Sequence, residues 1–202
     1  DGAVELGFTA STEKPEVSRT LGGTMALTDG ANVAVHVWKG TPPSEMQKAA
    51  YSNTYTVRNN AAGTADELVP TGGAMKVESA AGYRFYALST NSAQVAVPGL
   101  SSNCRTVSLR NGVDYLMAVN DNGGSGFSIS TTSDLIPLAF RHLATQIVLK
   151  VSPAGTNGYT TASGLVVGIA AVDSTDSYID LSASWSSSSS APSTMIYWPA
   201  RA

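Results

Sequence analysis

Charged side chains are scarce in this sequence. Lys, Arg, Asp and Glu together make up 13% of the 202 residues, about half the usual share of roughly 25%. The 12 basic and 15 acidic residues leave a formal net charge of −3. Nucleic-acid binding depends on clustered Lys and Arg that neutralise phosphates, so this composition argues against a nucleic-acid partner. Hydrophobic residues still reach 43%, which is enough for a buried core.

Cysteine and long apolar runs are also nearly absent. Cys104 is the only cysteine, so the chain forms no internal disulfide. Between a reactive thiol beside Arg105 and a small buried side chain, we favour the buried one. No apolar run reaches the ~18 residues that a membrane-spanning helix needs, and we predict no transmembrane segment. The chain begins at Asp1 and not at Met, from which we expect that a leader has been removed.

A helical period is almost absent as well. Only residues 44–50, which follow Pro42-Pro43 and carry Ser44 as a potential N-cap, predict one or two helical turns. Apolar and polar residues instead alternate with a period of two, as in half-buried strands, over residues 4–9, 33–38, 55–58, 75–78, 83–88, 106–109 and 115–119. Asn111-Gly112 is the strongest hairpin signal between such segments. The sequence therefore predicts an all-β sandwich or barrel.

The pattern changes after Ser133. Residues 136–151 form one long alternating segment with a possible bulge near His142, and residues 165–172 and 178–181 are predicted as its partner strands. We therefore predict an N-terminal β-sandwich domain over residues 1–134 and the start of a second β-sandwich domain over residues 135–202. The second domain has only 68 residues, against about 100 for a typical sandwich, so we expect it to be partial or reduced.

Catalytic and metal-binding patterns fail when they are tested in turn. Residues 123–127 approach the nucleophile elbow G-x-S-x-G, but Phe127 replaces the last glycine, and a hairpin connection is the better interpretation. His36 and His142 are the only histidines; they lie far apart in strand patterns, where we expect packed or edge positions rather than a zinc site. The cluster Asp173, Asp176 and Asp180 could bind Ca²⁺, but its spacing favours a solvated turn.

Other enzyme classes lack support too. The chain has no P-loop or dinucleotide fingerprint, and no pair of carboxylates is identifiable for glycoside hydrolysis. We therefore predict a protein that is not an enzyme, with no cofactor and no metal.

Several segments resemble the fimbrillin family of Bacteroidales, the subunits of type V pili. The clearest is residues 134–151, which are similar to the family pattern in Phe140, His142, Leu143, Ala144, Ile147 and Val151. Residues 4–11 with 18–20, the aromatic strand 83–89 and the segment 114–119 resemble earlier family strands in the same order. Together these segments cover most of residues 1–151.

The resemblance implies a fold and a way of assembling. It implies transthyretin-like Greek-key β-sandwich domains, export as a lipoprotein precursor, and a place in a fimbrium at the outer membrane. A trypsin-like or arginine-specific protease would cut after Arg19, although an ordinary exposed loop arginine is the alternative. The first strand, with Val4, Leu6 and Phe8 facing the core, would then be displaced by a donor strand from another subunit.

Three functions remain open on this basis. The first is a structural pilus subunit that assembles with other pilus subunits by strand exchange. The second is a pilus-tip or cell-surface adhesin that binds a host glycan or protein through exposed aromatics, although tryptophans in a sandwich are more often core anchors. The candidate patches are Trp38, Tyr51 and Tyr55, or Trp185 and Trp198. A β-sandwich glycoside hydrolase is the third.

Overall fold

A computed structural model describes residues 2–12, 27–40, 50–60, 65–101, 104–106, 109–110, 113–130, 135–143 and 178–181. These residues contain ten strands and no helix, which confirms the predicted all-β class. The strands are β1 (Ala3–Glu5), β2 (Gly7–Thr12), β3 (Asn32–Lys39), β4 (Tyr51–Arg58), β5 (Asp66–Pro70), β6 (Lys76–Glu78), β7 (Ala80–Ser89), β8 (Leu116–Asn120), β9 (Phe127–Ile129) and β10 (Leu135–His142). The helix predicted from Ser44 and the Asn111-Gly112 turn lie outside the described residues.

Seven of the strands close into a ring. Their order is β3-β4-β5-β2-β10-β8-β7, and β7 pairs again with β3. All neighbours are antiparallel except β2 and β10, which are parallel. Strand directions cannot alternate all the way round a ring with an odd number of strands, so at least one parallel pair is required. Because the hydrogen bonds continue around the core and do not stop at two separate sheets, the arrangement is barrel-like.

An inner core fills this ring. Every strand of the ring contributes side chains to it, with Phe8, Val35, Phe85 and Phe140 among the most deeply buried. These residues lie at alternate positions along their strands, as the period of two predicts. The segments predicted from residues 33, 55, 75, 83 and 115 are confirmed as strands β3, β4, β6, β7 and β8.

A second, outer core covers the wall formed by β3, β7 and β8. Its members from these strands are Trp38, Tyr86, Leu88 and Met117, whose side chains lie on the face opposite the inner core. Trp38 and Tyr86 meet edge to face with their ring centroids 5.2 Å apart. This wall is therefore packed on both faces, in keeping with the burial of β3 at six consecutive positions.

The predicted second domain begins with a strand that belongs to the ring. β10 pairs with β2 from Leu135 to Phe140 and with β8 from Phe140 to His142. Most of residues 144–202 lie outside the described part, so the division at residue 134 stays a prediction. Residues 178–181, predicted to pair with the long strand, bond to residues 104–106; residues 144–151 of the long strand lie outside the described part, so that pairing stays a prediction.

Candidate functional site

The N-terminal strand is divided between two sheets. β1 pairs with β6, with Val4 opposite Val77, and the Leu6 amide donates to the Met75 carbonyl at 2.9 Å. β2 then continues into the ring, where it lies between β5 and β10. The single strand predicted over residues 4–9 is thus interrupted at Leu6, where the chain passes from one sheet to the other.

Side chains at alternate positions of this segment enter the inner core. Val4, Leu6 and Phe8, the three residues predicted to face the core, are all buried there. Ala10 is buried with them and was not predicted, although it continues the same alternation by one step. The residues between them are exposed or half-buried. The segment therefore presents one apolar row to the core and one polar row to the solvent.

Phe8 is the largest side chain in this row and lies among aromatic rings. Its ring meets Tyr55 edge to face at 5.4 Å between centroids and Phe85 at 5.6 Å. Phe85 in turn meets Phe127 at 5.5 Å. Full burial of a side chain of this size stabilises a fold by roughly 1.5–3 kcal/mol, and edge-to-face pairs add to that. Phe8 is the main anchor of β2.

β2 has a hydrogen-bonded neighbour on each side, β5 on one and β10 on the other. Without it, β5 and β10 would each lose a hydrogen-bonded neighbour, and a slot lined by the apolar contacts of Leu6, Phe8 and Ala10 would open. A strand that supplies backbone bonds and the same alternating side chains would restore both. We call this position, between β5 and β10, the β2 slot.

Arg19 lies outside the described residues, between β2 and Leu27. Its cleavage therefore stays a prediction, as does displacement of the first strand. Trp185 and Trp198 lie outside the described residues as well.

The candidate aromatic patch near Trp38 is not an exposed platform. Trp38 is buried in the outer core and Tyr55 in the inner core, so the two side chains lie on opposite faces of the sheet. Tyr51 is only partly exposed and packs against the inner core. Leu135, 65% exposed, is the one large hydrophobic residue exposed in the described part of the chain.

Three other candidate residues, Cys104, Asp180 and His142, make structural contacts, whereas Asp173 and Asp176 lie outside the described residues. Cys104 is buried and burial raises the pKa of its thiol, in keeping with the favoured interpretation. The Asp180 carboxylate accepts a hydrogen bond from Arg105 Nε at 3.0 Å, so it is an ion-pair partner and not part of a solvated turn. His142 Nδ1 lies 2.8 Å from Asp114 Oδ1. Within the described ranges, no three His, Cys, Asp or Glu residues are grouped to hold a metal.

The glycine-rich segment after β8 is a tight connection. Asn122, Gly123, Gly124 and Gly126 all adopt positive φ, and the Ser125 hydroxyl donates to the Asn122 carbonyl at 2.7 Å. The predicted hairpin is wrong in one respect: β8 and β9 do not pair with each other. Both pair with β7, β8 with its C-terminal half and β9 with its N-terminal half. The turn therefore connects two strands that lie one after the other alongside β7.

His36 is a buried imidazole on β3. Its Nδ1 lies 2.9 Å from the Ser52 hydroxyl, while Nε2 is buried without a hydrogen-bond partner in the described structure. Burial lowers the pKa of His36 from 6.5 to about 4. The folded protein therefore holds this imidazole neutral at pH values where the unfolded chain would protonate it.

Acidification is expected to destabilise the protein through His36. Between pH 6.5 and about 4 the unfolded state binds the extra proton, so the free energy of unfolding falls as pH falls and is fully retained above 6.5. The total loss is roughly 3 kcal/mol. Urea unfolding at several pH values should show the free energy of unfolding falling with pH in the wild type, and falling less steeply in His36→Gln. Since both proteins keep His142 and all the carboxylates, equal slopes would contradict the assignment.

Comparison with known proteins agrees with this architecture. A family model described as fimbrillin-like matches residues 18–201. The chain belongs to the fimbrillin-like family. Neither the curated proteins nor the solved structures gave a match. As a member of this family, the chain is a fimbrial structural subunit. It interacts with other pilus subunits and is located in a surface fimbria. No described helix is long and apolar enough to cross a membrane.

Proposed function

We propose that this fimbrillin-like chain is a pilus subunit that polymerises by strand exchange at the β2 slot. The observation that carries the proposal is the position of β2, which closes the ring between β5 and β10 and, following the buried Leu6, places Phe8 and Ala10 in the inner core. A segment from another subunit with the same alternation would make the same backbone bonds and fill the same space.

Cleavage after Arg19 is the proposed trigger. While the chain is intact, β2 is tethered to the rest of the fold and its return to the slot is an intramolecular step, which strongly disfavours a competing strand. Cleavage removes the tether, so a segment from a second subunit competes on equal terms. We further propose that the subunit is exported as a lipoprotein precursor to the outer membrane, as the family resemblance implies.

The sequence between β2 and Leu27 offers a single bond to a trypsin-like protease. Residues 13–26 contain two basic residues, Lys14 and Arg19. Lys14 is followed by Pro15, and such proteases cut poorly before proline. Arg19 is therefore the one efficient site in this linker, and cleavage there leaves β1 and β2 on the released segment.

Controlled cleavage tests the proposal. Limited trypsin treatment of the purified chain should release residues 1–19 and produce a ladder of polymers that resists mild denaturant on gels. Arg19→Ala should stay uncut in the linker and monomeric, while the matched control Lys14→Ala should behave as the wild type. A chain that is cut cleanly at Arg19 and still remains monomeric at high concentration would contradict strand exchange.

A further inference from the structure

Residues 178–181 are bound to the outside of the ring by contacts with residues 104–106. The Thr106 amide donates to the Ile179 carbonyl at 3.0 Å and the Leu181 amide donates to the Cys104 carbonyl at 3.1 Å. The Ile179 amide also donates to the Thr106 hydroxyl at 2.8 Å. We call this arrangement, residues 178–181 on residues 104–106, the clasp.

Side-chain contacts strengthen the clasp. Arg105 pairs with Asp180, and its guanidinium lies 4.8 Å from the centroid of the Tyr178 ring. Ile179 and Leu181 are 0% and 1% exposed, and both belong to the outer core with Trp38 and Met117. Four residues thus contribute backbone bonds, an ion pair and two fully buried aliphatic side chains.

The clasp lies on the side of the ring opposite the β2 slot. Counting from β2 through β5 and β4, the third strand is β3; counting through β10 and β8, the third strand is β7. The outer core covers β3, β7 and β8, and it contains no residue of β1 or β2. Loss of β2 would therefore remove contacts from the inner core and leave every described contact of the clasp in place.

We propose that the clasp braces the β3–β7–β8 wall, so that this half of the ring stays folded while the β2 slot is open. With the inner core alone, the wall would be expected to lose cooperative order when β2 leaves, because Phe8 of β2 contacts Phe85 of the wall. The outer core gives the wall a second source of burial that does not depend on β2. That an open state occurs in assembly rests on the proposed strand exchange; the brace itself is a property of the intact chain.

Native-state hydrogen exchange on the intact, uncut chain tests the brace. Measured over a range of denaturant concentrations, the opening that exposes the amides of β2 and β5 should have a lower free energy than the opening that exposes the amides of β3, β7 and the clasp. Ile179→Ala should speed exchange of the wall amides by about 30-fold or more. The free energies of opening of the two groups of amides should then become similar. Leu68→Ala, a matched truncation beside Phe8 in the inner core, should speed exchange of β2 and β5 and keep the two groups separate.

Two outcomes would overturn the brace. One is a wild type in which all strands exchange in a single step; the other is an Ile179→Ala variant that speeds exchange of β2 as much as that of the wall. Asp180→Asn is the milder variant if Ile179→Ala does not fold, and it should also speed exchange of the wall amides. Since no cleavage is involved, a failed brace and a failed polymerisation give separate readouts.

Discussion

Replacement of Phe8 with alanine is expected to lower the free energy of unfolding by about 3–5 kcal/mol, the usual range for deletion of a buried aromatic. The side chain is buried between Tyr55 and Phe85, and its loss leaves a cavity where β2 meets the inner core. Urea unfolding monitored by tryptophan fluorescence measures the change. Ser11→Ala, on the exposed face of the same strand, should cost no more than about 1 kcal/mol.

The same substitution has a consequence for assembly. If β2 must leave its slot before a donor strand enters, a weaker anchor should speed its departure, and Arg19-cleaved Phe8→Ala protein should polymerise faster than cleaved wild type. A variant that is destabilised as expected but polymerises at an unchanged rate would mean that β2 release does not limit assembly. Equal stability of Phe8→Ala and Ser11→Ala would contradict the role of Phe8 as anchor.

Replacement of Arg84 with methionine is expected to cost a similar amount, about 3–5 kcal/mol. Arg84 is 7% exposed on β7, and its guanidinium joins two chain connections: Nη1 donates to the Gly40 carbonyl and Nη2 to the Gly124 carbonyl at 2.7 Å. Hydrogen bonds from a charged group contribute about 1.5–3 kcal/mol each, and methionine would leave both carbonyls without this donor. Methionine keeps most of the side-chain length, so the change isolates the lost bonds.

Arg58→Met is the matched control for this prediction. Arg58 is an exposed arginine on β4 that pairs with Glu67, and exposed ion pairs contribute about 0–1 kcal/mol. In thermal or urea unfolding, Arg84→Met should therefore have a clearly lower midpoint than Arg58→Met. If Arg84→Met unfolds at the same denaturant concentration as Arg58→Met, the buried guanidinium does not hold the two connections together.

Much of the fold follows from local alternation in the sequence. β3 and β7 are long, rich in aromatic and β-branched residues, and bounded by turn residues, so the period of two identifies them. β5 and β9 were not predicted. In β5 only Leu68 is buried, between two carboxylates and a terminal proline, and β9 has three residues. Neither is long enough for a periodic signal, and both exist because neighbouring strands hold them.

The outer core shows where alternation fails. Ala34, His36 and Trp38 occupy the positions of β3 that the period assigns to solvent, yet all three are buried. The outer core that buries Trp38 includes loop residues and Ile179 and Leu181, more than 130 residues later in the chain. Such long-range cover leaves no trace in the local pattern. For the candidate site the opposite holds: Val4, Leu6 and Phe8 follow directly from alternation, and the features missed there were the burial of Ala10 and the change of sheet at Leu6.

The central claim is that β2 is an exchangeable strand, and peptide uptake tests it most directly. Protein cut at Arg19 would be mixed with a fluorescent peptide of residues 2–12, given a pulse of mild denaturant, and returned to buffer. We predict that the labelled peptide replaces the native strand, and that a peptide carrying Phe8→Ala binds at least about 100-fold more weakly. No uptake of the wild-type peptide by refolded, cleaved protein would contradict the claim.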